Sequence, residues 1–98
     1  MGLFNTIKKQ KQTNKKAEWK IGLIPTIVTL EDTHMKIANT VSEDIVFYQD
    51  IMFLEQVTRY VNIRTNVKKY SLRSNHGSEG AKILHRDLLV KMNECKNQ

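Results

Sequence analysis

Three histidines and one cysteine are the side chains of this 98-residue chain best suited to metal or nucleophilic chemistry, and their spacing argues against both. His34 falls in a predicted turn and His76 directly precedes Gly77. His85 sits on a predicted helix with no histidine or cysteine three or four positions away. A metal centre needs donors that converge, and no paired Cys-x-x-Cys or comparable cluster is present. Serine, histidine and aspartate occur without a recognisable nucleophile motif. A small barrel filled by its own side chains leaves little space for a substrate. No catalytic residue, no cofactor and no bound metal are therefore expected.

The cationic side chains offer a different chemistry, the recognition of anions. Arg64, Lys69 and Arg73 alternate along a predicted hairpin with Lys68 beside them, and these four form the candidate partner-binding patch. The bland alternative is a solvated face, or charges that protect a sheet edge from pairing. As a nucleic-acid surface the patch is small. Tyr70 is expected to point inward, so few aromatics remain for base stacking. Specific nucleic-acid recognition is not expected; tail and patch together would bind polyanions in a salt-dependent way.

A second candidate lies at the start, MGLFNTIKKQKQTNKK. Leu3, Phe4 and Ile7 can form one turn of apolar face, followed by Lys8, Lys9 and Lys11, the pattern of a weak attachment to an anionic membrane surface. Gly2 and Thr6 also fit the loose pattern for N-myristoylation, which has meaning only in a cell with the transferase. The alternative is that these apolar side chains dock on their own domain or on a partner.

Charge is distributed to match. The net charge is +6, yet residues 1–20 hold six lysines against one acid, while residues 21–98 hold ten Lys and Arg against nine Asp and Glu. The body is thus almost neutral, and the basicity belongs to a flexible leader expected over residues 1–18. Residues 19–98 form the predicted domain. The single cysteine excludes an internal disulfide framework and suits a reducing, cytoplasmic setting, peripheral at the inner membrane face if the leader attaches there. No apolar run approaches the roughly 20 residues of a membrane-spanning helix, and the lysines follow rather than precede the apolar cluster, unlike a secretory signal.

From Trp19 onward short apolar runs alternate with turn residues. The pattern predicts strands over residues 20–24, 26–30, 35–38, 45–48, 52–58, 60–65 and 69–73, with a break or sheet edge at Pro25 because proline donates no ladder hydrogen bond. If Asn66–Val67 is a turn, Arg64 faces Lys69, Ile63 faces Tyr70, Asn62 faces Ser71 and Val61 faces Leu72. Apolar pairs then share one face. In SEGAKILHRDLLVKMNEC the period changes: Ala81, Leu84, Leu88, Met92 and Cys95 line one helical face, flanked by His85 and Leu89. Ser78 is the expected N-cap.

About seven short strands followed by one amphipathic helix resemble the bacterial pleckstrin-homology-like (PH-like) domain family. The resemblance rests on TIVTLEDTHMKIAN, on DIVFYQDIMFLEQV with its Tyr48-Gln49-Asp50-Ile51 link, and on the closing AKILHRDLLVKM. It implies an α+β fold of about seven antiparallel strands in two sheets, a partly open barrel closed by the C-terminal helix. Related folds bind lipid head groups, peptides or other proteins, so the resemblance does not fix the ligand; the ligand expected here is a protein or peptide segment, received along a sheet edge or between sheet and helix. The edge expected is residues 60–65 or 69–73. Inositide binding is not carried over: such PH domains grip phosphates with Lys and Arg around the first strand-to-strand loop, whereas here Ile24–Pro25 leaves little loop and the next turn carries Glu31 and Asp32, which would repel a phosphate. Membrane association through the leader and self-association through an apolar edge are the competing readings. Whether Trp19 caps the core or stands as a contact residue is left open.

Overall fold

A computed structural model describes residues 17–96. The chain enters the fold at Ala17 and Glu18, whose carbonyls accept from the Asn75 side chain (3.1 Å) and backbone N–H (2.9 Å). β1 (Trp19–Ile21) is shorter than expected, because the chain turns at Gly22 and Leu23. Gly22 has φ 62°, the positive value that the first central position of a two-residue type II′ turn demands and that glycine adopts at no steric cost. β2 (Ile24–Leu30) therefore begins before Pro25, which lies opposite Lys20. Beside a two-residue turn the closing pair, Ile21 and Ile24, is hydrogen-bonded and the next pair is not. The Pro25 nitrogen thus faces away from β1, toward a side where β3 pairing starts only at Ile27. The proline occupies a one-sided stretch of strand rather than a break.

β3 (His34–Ala38) and β4 (Glu43–Phe47) follow as antiparallel neighbours. A 3₁₀ turn (Tyr48–Asp50) then carries the chain to β5 (Phe53–Val57), which pairs with β6 (Tyr60–Arg64), itself paired with β7 (Lys69–Ser74). The strand order is β4-β3-β2-β1-β7-β6-β5. Instead of two separate sheets the seven strands make one continuous curled sheet, because β1 pairs with β2 on one side and β7 on the other. The terminal strands are β4 and β5. The expected edges, β6 and β7, are interior.

The β6–β7 register is the one the alternation predicts, from Val61 opposite Leu72 to Arg64 opposite Lys69. Asn-Val is a poor two-residue turn by itself, and Thr65 makes up the difference. Its N–H donates to the Lys68 carbonyl (2.9 Å), and its Oγ1 accepts from the N–H groups of Val67 (3.2 Å) and Lys68 (3.1 Å).

The inward residues of the curl form one core with helix α1 (Gly77–Lys96): Met35, Ile37, Val46, Tyr48, Val61, Ile63 and Leu72 meet Ala81, Leu84 and Leu88. Met92 and Cys95 pack on its border, completing the predicted face. Leu89 flanks that face and is largely exposed. The helix begins at Gly77, so Ser78 lies within its first turn instead of capping it. Gly80, a poor helix former, is explained by proximity: a Cβ there would meet Ser74 Oγ, which accepts from the His76 N–H. The first turn of α1 thus presses directly on the end of β7.

Candidate interaction surface

Strand alternation places Phe53, Arg64 and Lys69 in one cross-strand row on the outer face of the sheet. The next row is Glu55, Asn62 and Ser71, and the third runs Val57, Tyr60, Arg73, Lys20 and Pro25. The middle row is knit together: the Asn62 amide donates to Glu55 Oε2 (3.1 Å), and the Ser71 hydroxyl donates to Asn62 Oδ1 (2.9 Å). Arg64 lies over the Phe53 ring, with Cζ 5.5 Å from its centroid. The first two rows, Phe53, Arg64 and Lys69 with Glu55, Asn62 and Ser71, line a shallow hollow of about 350 Å³ beside the terminal strand β5.

Electrostatically the face is lopsided. Arg64 stands directly opposite Lys69, and Lys20 directly opposite Arg73. None of the four forms an ion pair among the described residues, whose salt bridges lie elsewhere. Like charges in directly opposed positions destabilise a sheet by a few tenths to about 1 kcal/mol. Protection of an edge does not account for them, since β6, β7 and β1 are paired on both sides.

Three of the four sequence candidates, Arg64, Lys69 and Arg73, thus share one face. Lys68 does not. Its Nζ lies 2.6 Å from Asp44 Oδ2 and 5.2 Å from the centre of the Tyr70 ring, and the Tyr70 hydroxyl donates to the same carboxylate oxygen (2.8 Å). As a turn residue Lys68 is free of strand alternation and reaches across to β4, helping to hold the curl closed. The hydrogen bonds from Lys68 and then Tyr70 hold the Asp44 carboxyl below its ordinary pKa. Lys20 and Phe53 join the face unannounced. The sequence signal for Lys20 was Gly22, a Gly-x turn between apolar residues that fixes the β1–β2 register.

On the opposite side of β1 a cleft of about 480 Å³ opens between β1–β2 and the first half of α1. Trp19, Val28, Leu30, Ile83 and Leu84 give it an apolar lining, and Glu18, Glu79 and Asp87 give it an acidic rim. The open question about Trp19 is answered here: it is a core residue, 7% exposed, with one side toward the cleft.

The histidines are dispersed. The His34 ring meets Phe47 (5.6 Å) and the Thr33 hydroxyl (3.1 Å), and His76 Nε2 lies 3.4 Å from Glu18 Oε2. His85 is partly buried on α1. Among the described residues no group of three or more His, Cys, Asp or Glu could hold a metal ion, and no helix is long and apolar enough to cross a membrane. The membrane candidates Leu3, Phe4, Ile7, Lys8, Lys9 and Lys11, together with Gly2, lie outside the described residues. No family model, curated protein or solved structure matches this chain.

Proposed function

We propose that the chain is a non-enzymatic interaction module on a PH-like scaffold, and that it receives an extended, acidic protein segment on its outer basic face. Seven antiparallel strands followed by a helix that fills their curl support the scaffold reading. The observation that carries the ligand reading is the pair of unneutralised like-charge oppositions, Arg64 with Lys69 and Lys20 with Arg73. An anionic partner relieves that repulsion on binding. The terminal strand β5 supplies the docking line: a segment added there makes main-chain hydrogen bonds, and its alternate side chains fall on the side of Phe53 and Arg64.

The double charge reversal Arg64→Glu with Lys69→Glu tests this. It turns a face of four cations and one carboxylate into one of two cations and three carboxylates. It also keeps a like-charged pair in the same register, so fold stability stays within about 0.5 kcal/mol. Binding of an extended probe peptide with glutamates at alternate positions should weaken at least about tenfold. The wild-type affinity should also fall as salt rises. Unchanged affinity in the double variant removes this face from the interaction.

A further inference from the structure

The cleft between β1–β2 and α1 has the opposite character to the outer face, and the chain itself contains a segment that matches it. Its lining is apolar, and Ile83 on the helix wall is 45% exposed although it sits among Trp19, Val28, Leu30 and Leu84. Its rim holds Glu18, Glu79 and Asp87. Glu79 has no basic partner among the described residues; Asp87 has only the neighbouring Arg86 at 3.6 Å, and Glu18 only His76 at 3.4 Å. Residues 1–16 carry Leu3, Phe4 and Ile7, then Lys8, Lys9, Lys11, Lys15 and Lys16, and no acidic residue.

Placement agrees with composition. Ala17 and Glu18 are pinned to Asn75, and Glu18 is itself part of the cleft rim, so the described chain begins at the mouth of the site. From Ala17 to Ile7 is ten residues, a reach of up to about 35 Å when extended. The helix wall from Glu79 to Asp87 measures only about 12 Å. A segment that starts at the rim therefore reaches every part of the cleft. Its local concentration there is in the millimolar range, because tethering makes the encounter intramolecular.

We propose that this cleft is the docking site for the chain's own N-terminal segment: Leu3, Phe4 and Ile7 enter between Trp19, Leu30 and Ile83, and the following lysines lie along Glu18, Glu79 and Asp87. Docking buries the apolar residues of the leader and neutralises the acidic rim. It leaves the outer basic face uncovered, so this inference and the proposed ligand binding stand or fall separately.

Disulfide trapping in the full chain tests it. In a Cys95→Ser background, Thr6→Cys is paired with Ile83→Cys at the cleft, or with Val67→Cys at the exposed β6–β7 turn as a control. Thr6 is chosen because Leu3, Phe4 and Ile7 then remain intact. Under mild oxidation the intrachain disulfide should form at least about tenfold faster with position 83 than with position 67. Adding Glu79→Lys with Asp87→Lys, or replacing Leu3, Phe4 and Ile7 by serine, should abolish that preference. Equal rates at the two positions, or a preference that survives both sets of changes, overturns the proposal. So does a product that is mainly an interchain dimer, which would assign the cleft to a second copy.

Discussion

Replacing Tyr48 by alanine should cost about 3–5 kcal/mol, enough to leave a domain of this size largely unfolded or close to it. Tyr48 opens the 3₁₀ turn that links the two terminal strands and is 1% exposed, among the most buried large side chains. Its hydroxyl donates to the Glu31 carbonyl (2.7 Å) and its backbone N–H to the Thr33 carbonyl (3.2 Å). One residue thus fastens the β4–β5 connection to the β2–β3 turn while its ring fills the core against α1. Tyr48→Phe separates the two contributions. It keeps the ring but leaves the Glu31 carbonyl short of a donor, and should cost about 1–2 kcal/mol. Urea denaturation of both variants measures the difference. Equal losses would mean that the hydroxyl, not the packed ring, holds this corner.

The second large effect is alkaline. Burial pushes the phenols of Tyr48 and Tyr70 up to about 12 from an ordinary 10.0; for Tyr70 the hydrogen bond to Asp44 adds to it, and for Tyr48 the bond to Glu31 opposes it. Both groups stay protonated in the folded chain at a pH where the unfolded chain has already lost those protons. Their contribution is therefore fully present below pH 10, and it drains away between about 10 and 12 as ionisation pulls the equilibrium toward the unfolded state. For Tyr48 the loss by pH 12 is on the order of 2–3 kcal/mol, and it is smaller for the partly exposed Tyr70. Urea midpoints across that range, followed alongside phenolate absorbance, should fall steadily in the wild type and more shallowly in Tyr48→Phe. A flat profile to pH 12 would show that neither ring is held as described.

How far the sequence reached depended on whether a feature was local. The β6–β7 register was legible because a turn at Asn66–Val67 puts Val61, Ile63, Tyr70 and Leu72 on a common face, which a one-residue slip would split. Helix α1 was legible because Ala81, Leu84 and Leu88 repeat at helical spacing. The basic face was only half legible: Arg64, Lys69 and Arg73 follow from the hairpin, whereas Lys20 joins through pairing between the first and last strands of the sequence. Strand order is likewise set by long-range pairing, and so the expected docking edge moved from β6 or β7 to β5. Lys68 was misplaced because a turn side chain takes its direction from a distant partner, here Asp44 on β4. The cleft escaped notice because Glu18, Leu30 and Asp87 are remote from one another in sequence.

The most direct test of the proposed interaction is to map the binding of the alternating-glutamate probe on the intact, isotope-labelled chain by amide chemical shifts. The shifts should concentrate on β5, β6, β7 and β1, around Phe53, Arg64, Lys69, Arg73 and Lys20, and should fade in Arg64→Glu with Lys69→Glu. Shifts confined to residues 1–16, with the sheet unmoved, would contradict it and assign anion binding to the leader alone.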